Sequence, residues 1–127
     1  IIILMTQKFK IYVVNLKKDK DRRKNIINEI EKQNIKDYQI IDAINGNELN
    51  DMDLNNASYK DKNLINPWNI RMSPSQVGCA LSHIKIYKKF IETEYNLALI
   101  LEDDAVFVQN FTEELKKLII KNIKYKK

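Results

Sequence analysis

The sequence predicts an α/β domain with a mostly parallel sheet. Three short apolar or β-branched runs alternate with amphipathic segments in the order strand, helix, strand, loop, helix, strand, helix. The chain has 127 residues, of which 44% are hydrophobic and 31% charged, a composition that favours one packed domain over disorder. No apolar run approaches the roughly 20 residues that a membrane-spanning helix needs.

The first strand and helix are predicted within residues 11–33. Residues 11–16 form a β-branched and aromatic run that is typical of a buried strand. Asp19 or Asp21 can cap the helix that follows, and we expect this helix to end near Gln33. Its apolar stripe comprises Ile26, Ile27 and Ile30.

The second strand is predicted over residues 38–42, and Asn45-Gly46 predicts a turn after it. Residues 50–72 are rich in Asn and Asp and show little periodicity. We expect them to form a long connection, which in a compact domain often carries function.

A helix start follows at residues 73–76. Ser73 suits the N-cap, Pro74 suits the first helical position, and Gln76 can close a capping box. We expect the helix to run to about Glu92. Its buried face is predicted to comprise Val77, Ala80, Leu81, Ile84 and Ile91.

The third strand is predicted over residues 97–101, because a fully apolar run is typical of the middle of a covered sheet. Thr112 can cap a last helix through Ile120. Residues 116–127 contain six lysines and no acid, so the net charge of +5 belongs to a basic tail. This tail is either a solvated chain end or a contact for an anionic membrane surface, and we do not expect nucleic acid as a partner.

Glu102-Asp103-Asp104 is the sharpest chemical feature, because it comes directly after the third strand. Ligands of open α/β sheets bind at the carboxyl ends of the strands. Adjacent carboxylates repel one another, and a hard divalent ion such as Mg²⁺ or Mn²⁺ accepts oxygen ligands and is often shared with phosphates. The alternative is an ordinary acidic strand end that faces water. With only two glycines, the chain lacks glycine-rich phosphate loops.

The helix predicted over 73–92 carries further candidates. His83 lies on the flank of its apolar face beside Gln76 and Cys79, a position that suits a pocket wall or a half-buried structural residue. Gly78 costs about 1 kcal/mol relative to Ala in a helix, which indicates close approach of a neighbouring element or a ligand. Cys79, the one cysteine, cannot form an internal disulfide.

Polar residues also follow the first strand, where a nucleotide could dock. They are Asn15, Asp21 and Arg22. Arg22 or Arg23 could pair with phosphate, or both could be solvated at the helix start.

Four segments together resemble glycosyltransferase family 25, the bacterial sugar transferases of lipooligosaccharide biosynthesis that are related to collagen galactosyltransferases. In chain order they are Ile-Tyr-Val-Val-Asn-Leu at 11–16 with Asp-Arg-Arg at 21–23, Ala-Ile-Asn-Gly at 43–46, Ser-Pro-Ser-Gln-Val-Gly-Cys-Ala-Leu-Ser-His at 73–83, and Ile-Leu-Glu-Asp-Asp-Ala at 100–105.

The resemblance implies a GT-A-like nucleotide-sugar-binding fold and an inverting, metal-dependent transfer of a hexose. The implied donor is UDP-galactose, the implied acceptor is a lipid-linked lipooligosaccharide or lipopolysaccharide, and the implied cofactor is Mn²⁺ or Mg²⁺. Asp104, assisted by Glu102, is the implied metal ligand. The implied donor-binding residues are Asn15, Arg22, Ser82, His83, Glu102 and Asp103.

The chain departs from the family in two ways. Gln76 stands where the family often has Glu, and family members are considerably longer. We therefore expect residues 1–127 to be the donor-binding portion of one domain, incomplete at the C-terminus, with the acceptor-binding part and the general base outside it. The alternative is a truncated, catalytically silent remnant that at most binds the nucleotide donor. A single cysteine and the absence of a signal-like start favour a cytoplasmic location, with the basic tail as a contact to the inner membrane face.

Overall fold

The computed structural model describes residues 9–57 and 72–124. Strands and helices alternate along these residues in the predicted order, with one additional helix. The strands are β1 (Phe9–Asn15), β2 (Tyr38–Asp42) and β3 (Leu97–Glu102), and the helices are α1 (Lys20–Lys32), α2 (Asp51–Ala57), α3 (Pro74–Ile91) and α4 (Phe111–Lys124). A 3₁₀ turn at Gly46–Glu48 follows β2.

The three strands form a parallel sheet in the order β2-β1-β3, which confirms the predicted α/β class. The register places Asn15 of β1 opposite Asp42 of β2 and Val14 of β1 opposite Glu102 of β3. The carboxyl ends of the three strands therefore lie along one edge of the sheet, where ligands of open α/β sheets bind.

β1 forms the centre of the core because helices cover both faces of the sheet. Successive side chains of a strand point to opposite faces, so Ile11 and Val13 pack with α1 while Tyr12 packs on the other side with α3. The fully buried apolar residues at these two contacts are Ile11, Tyr12, Val13, Ile26, Ile30 and Ile86.

The predicted start of α1 is confirmed in position but not in its bonding. Asp19 is the N-cap residue, yet its side chain makes no capping hydrogen bond. Its backbone carbonyl instead accepts hydrogen bonds from the Asn15 side chain and from the Arg23 N–H. Asp21 lies inside the first turn, and Ile27 of the predicted stripe is only half-buried.

The predicted capping box at the start of α3 is confirmed. The Ser73 hydroxyl accepts a hydrogen bond from the Gln76 N–H at 3.3 Å, and the Gln76 amide oxygen accepts one from the Ser73 N–H at 2.8 Å. Two backbone donors at the helix start are thereby satisfied.

The predicted buried face of α3 is wrong except for Val77. Ile84 is 43% exposed and Ile91 77% exposed, Ala80 is exposed, and Leu81 is half-buried. The residues that are buried instead are Val77, Gly78, Ser82 and Ile86. Compared with the prediction, the helix is rotated about its axis, because the small residues Gly78 and Ser82 face the chain that follows β2.

Gly78 allows that close approach. A Cβ at this position would lie 2.6 Å from both the Gly46 nitrogen and the Ile44 carbonyl oxygen. A Cβ on Gly46 would overlap the Pro74 carbonyl. The two glycines therefore let the backbone of the turn after β2 pack directly against the backbone at the start of α3. Of the two explanations predicted for Gly78, the close approach of a neighbouring element is the one observed.

The connection predicted over residues 50–72 is wrong in its first part, because Asp51–Ala57 is a helix. The Asn50 side chain accepts a hydrogen bond from the Asp53 N–H at 2.8 Å and so caps it. The same short polar side chains that favour loops also favour helix starts, which explains the misassignment. The remainder, with Pro67 and Trp68, lies outside the described residues.

Two predictions for the last third also need correction. β3 pairs only with β1 within the described ranges and is half-buried at the sheet edge, rather than central. α4 begins at Phe111, and Thr112 does not cap it, because its hydroxyl donates to the Gln33 carbonyl at 3.4 Å. No helix within residues 9–57 and 72–124 is long and apolar enough to cross a membrane.

Side chains at the opposite, amino-terminal edge of the sheet hold the elements together. Tyr95 donates a hydrogen bond to Asp37 at 2.8 Å, and this bond raises the pKa of Tyr95. The Lys10 ammonium lies 5.1 Å from the centre of the Tyr95 ring, a cation–π contact. We assign this edge a structural role.

Replacing Gly78 with alanine tests the backbone packing of α3. The added methyl would meet backbone atoms that cannot rotate away, so we expect Gly78→Ala to lower the free energy of unfolding by about 1–3 kcal/mol. Alanine is otherwise the better helix former by about 1 kcal/mol, so a stability equal to or above that of the parent would contradict this packing. Lys88→Ala, at an exposed position of the same helix, should stay within about 0.5 kcal/mol in the same urea titration.

Candidate functional site

The carboxyl-terminal edge of the sheet gathers the polar residues of the three strand ends. Asn15 ends β1, Asp42 ends β2 and Glu102 ends β3, and Asp103 and Asp104 form the turn that follows. Parallel pairing creates this gathering, because each strand delivers its last residue to the same edge.

Asn15 is the buried centre of this edge. Its side-chain N–H₂ donates to one Asp103 carboxylate oxygen at 2.8 Å and to the Asp19 carbonyl at 3.2 Å. The Arg22 guanidinium lies 3.5 Å from the other Asp103 oxygen. Both oxygens of Asp103 are thus engaged, and only 11% of its side chain is exposed, whereas 61% of the Arg22 side chain is exposed. Three of the predicted donor-site residues therefore lie in one cluster.

The Asn15 amide oxygen has no hydrogen-bond partner among the described residues, although it is buried. Leaving a buried acceptor unsatisfied costs about 1–3 kcal/mol. A donor group from a ligand or a water molecule at this edge would remove that cost. The observation marks Asn15 as a group that could contact a ligand.

The acidic triplet divides into one inward and two outward carboxylates. Asp103 turns inward to Asn15, while Glu102 and Asp104 are both exposed. The two exposed side chains offer oxygen atoms only, which is the donor chemistry that Mg²⁺ and Mn²⁺ prefer. The donor atoms of this turn are therefore of the kind that a hard divalent ion accepts, whereas both oxygens of Asp103 are engaged by Asn15 and Arg22.

A shallow cavity of about 570 Å³ lies between α3 and the end of β3. Gln76, Cys79 and His83 line it together with Glu102, so the predicted flank of α3 is a pocket wall. The Cys79 sulfur lies 4.0 Å from a Glu102 carboxylate oxygen. The ring of the half-buried His83 stands edge-on to Tyr87, with 6.2 Å between the ring centroids.

Ser82, a predicted donor-binding residue, does not line this cavity. It is fully buried, accepts a hydrogen bond from the Ile44 N–H at 2.8 Å and donates one to the Gly78 carbonyl at 2.7 Å. These two bonds join α3 to the chain after β2. Ser82 therefore has a packing contact in the structure, next in sequence to His83.

β2 also contributes to this edge, through a residue that was not predicted from the sequence. Asp42 lies 3.3 Å from the Arg23 guanidinium, and its backbone carbonyl accepts a hydrogen bond from Lys85 of α3 at 2.9 Å. The signal was available, because Asp42 is the last residue of a correctly predicted strand.

A comparison with known protein families identifies the family to which this chain belongs. The profile of the family described as "Glycosyltransferase family 25 (LPS biosynthesis protein)" matches residues 8–127. The chain belongs to glycosyltransferase family 25. The resemblance that four short segments carried therefore extends over nearly the whole sequence.

Individual relatives agree with the family assignment. Procollagen galactosyltransferase 2 of Mus musculus is 31% identical over 122 aligned positions, and the match covers 86% of this chain and 18% of the relative. A glycosyltransferase 25 family member of Aedes aegypti is 28% identical, with the same two shares. A procollagen lysyl hydroxylase and glycosyltransferase of Acanthamoeba polyphaga mimivirus is 32% identical over 80% of this chain and 12% of its own length. The chain thus spans less than a fifth of each of these relatives.

The segments that resemble family 25 are the ones that meet at the carboxyl edge. Asn15 and Arg22 from the first segment contact Asp103 from the last. Ile44 from the second contacts Ser82 from the third. Residues far apart in the chain are thereby joined into one site.

Replacing Asn15 with aspartate tests the cluster around Asp103. The change keeps the shape but removes the amide donor and sets two carboxylates against each other, so we expect Asn15→Asp to lower the free energy of unfolding at neutral pH by about 2–4 kcal/mol. Asn28→Asp, at an exposed position of α1, should change it by less than about 0.5 kcal/mol. Equal stability of the two variants in a denaturant titration would show that the Asn15–Asp103 bond contributes nothing.

Proposed function

We propose that this chain forms the donor-binding part of a metal-dependent, inverting glycosyltransferase. Family membership supports a nucleotide-sugar donor and a separate acceptor as the two substrates. The observation that carries the proposal is the carboxyl edge of the sheet, where the buried Asn15–Asp103 pair lies beside two exposed carboxylates and a cavity.

In this proposal, Glu102 and Asp104 hold Mn²⁺ or Mg²⁺. The ion supplies neutralisation of the negative charge that develops on a nucleoside diphosphate leaving group. Asp103 takes no direct part, because its two oxygens are engaged by Asn15 and Arg22. Its contacts with Asn15 and Arg22 instead hold the turn after β3 in place, and Glu102 and Asp104 on either side of it are exposed.

The other proposed contacts to the nucleotide-sugar donor come from side chains that a bound ligand can reach. Arg22 keeps most of its side chain in solvent, so its guanidinium can reach a phosphate oxygen while it stays close to Asp103. The Asn15 amide oxygen can accept a hydrogen bond from the donor or from a water molecule bound with it. His83 and the cavity beside Glu102 lie where the hexose of the donor could be held. Ser82 holds α3, the helix that carries His83, against the chain after β2.

The proposed sugar and acceptor come from the relatives and the family. Procollagen galactosyltransferase 2 carries galactose transfer in its name, which supports UDP-galactose as the donor. The family description contains LPS biosynthesis, which supports a lipid-linked oligosaccharide of the lipooligosaccharide or lipopolysaccharide type as the acceptor. Inversion also requires a general base for the acceptor hydroxyl, and we assign this role to none of the described residues.

We further propose that the protein acts in the cytoplasm against the inner face of the membrane. The support is the lysine-rich segment from Lys116 onward, where Lys116, Lys117 and Lys121 are exposed beside Leu118, which is 55% exposed. Basic and apolar side chains on one exposed helix suit an anionic lipid surface, where a lipid-linked acceptor would be found.

Calorimetric titration of the chain with UDP-galactose tests the donor site. We expect binding in the presence of Mn²⁺ that is lost when the metal is removed with EDTA. Asp104→Asn should weaken this binding at least about tenfold, because one of two charged ligands is lost.

Glu113→Gln is the matched control for Asp104→Asn. It also removes one exposed negative charge, but it lies beside Gln33 and Asn34, at the far end of α1. Its affinity for UDP-galactose should equal that of the parent. Binding that persists in EDTA, or equal binding by both variants, would contradict the metal-dependent site.

A further inference from the structure

Three side chains with three different donor atoms converge at the cavity beside β3. Cys79 and His83 are four residues apart on α3, so they lie on the same helix face, one turn from each other. Glu102 approaches them from the last position of β3. The Cys79 sulfur, a His83 ring nitrogen and a Glu102 carboxylate oxygen all lie within 4.8 Å of one another.

The mixture of donor atoms is chemically different from that of the acidic turn. Mg²⁺ and Mn²⁺ are served by carboxylate, carbonyl and water oxygens, whereas a thiolate and an imidazole together select Zn²⁺ or a similar borderline cation. Tetrahedral zinc would set the sulfur and the carboxylate oxygen about 3.6 Å apart, given usual Zn–S and Zn–O bond lengths. The distance here is 4.0 Å, so a small rotation of exposed side chains is enough.

We propose that Cys79, His83 and Glu102 form a binding site for Zn²⁺. Three protein ligands leave the fourth tetrahedral position to a water molecule or a bound substrate, as in zinc sites that do chemistry. The cavity lies in front of these three residues and provides both the entry path and the space for the fourth ligand. On binding, the Cys79 thiol releases its proton to solvent and coordinates as the thiolate.

This site goes beyond the proposed function. Glu102 belongs to both sites, but Cys79 is needed only for zinc and Asp104 only for the hard ion that accompanies the nucleotide sugar. Zn²⁺ in this site would therefore draw Glu102 away from the Mn²⁺ or Mg²⁺ that the transfer uses. A zinc titration without nucleotide sugar depends only on the site formed by Cys79, His83 and Glu102. The zinc proposal and the proposed function can therefore fail separately.

The experiment measures metal binding by the full chain in two ways. Calorimetric titration with Zn²⁺ gives the stoichiometry and affinity, and titration with Co²⁺ gives the absorption spectrum of the bound ion. We expect one Zn²⁺ per chain and a thiolate-to-cobalt charge-transfer band. Cys79→Ser should abolish that band, and both Cys79→Ser and His83→Gln should weaken Zn²⁺ binding at least about tenfold.

Asp104→Asn is the matched control, because it alters the neighbouring acidic turn and leaves all three zinc ligands in place. It should bind Zn²⁺ as the parent does. Circular dichroism and thermal unfolding establish that each variant is folded, which is expected for Cys79→Ser because Cys79 is exposed. The proposal is overturned if Cys79→Ser binds Zn²⁺ as tightly as the parent, if the parent gives no thiolate band, or if Asp104→Asn loses as much affinity as Cys79→Ser.

Discussion

The hydrogen bond from the Asn15 amide to the Asp103 carboxylate joins two strand ends that are 88 residues apart in sequence, at a distance of 2.8 Å. It is charge-assisted and shielded from water, since Asn15 is 1% exposed, and such bonds are stronger than those between neutral groups. It holds Asp103 at the end of β1, while the residues on either side, Glu102 and Asp104, stay exposed. The two proposed metal ligands therefore flank the residue that this bond holds in place.

A second constraint brings α3 to the same edge. Its start packs backbone against backbone on the turn after β2, because Gly78 and Gly46 carry no Cβ. Ser82 then bonds the Ile44 N–H from one turn further along the helix. With the helix held in this rotation, the Cys79 sulfur and a His83 ring nitrogen lie within 4.8 Å of a Glu102 carboxylate oxygen. The segment 73–83, which resembles family 25, thus contains both packing residues, Gly78 and Ser82, and cavity-lining residues, Cys79 and His83.

Strand bounds and helix caps depend on residues that are close in sequence, and these features were predicted from the sequence. β2 was located at its observed bounds, and the capping box of α3 was predicted in full from Ser73, Pro74 and Gln76. The rotation of α3 was not predicted, because hydrophobicity favours burying Ile84, whereas the contact is decided by how closely two backbones approach. The division of the acidic triplet also escaped prediction, since it depends on a partner in another strand. Register and tertiary packing determine such features.

The central claim is that the carboxyl edge of the sheet, organised by Asn15 and Asp103, binds the nucleotide sugar. Backbone amide NMR spectra of the labelled chain, recorded during titration with UDP-galactose and the diamagnetic ion Mg²⁺, test it most directly. We expect the largest shifts at residues 15–22, 76–83 and 102–105. Shifts confined to the amino-terminal edge around Lys10 and Tyr95, or to the lysine-rich helix α4, would contradict it, as would the absence of any shift at saturating donor.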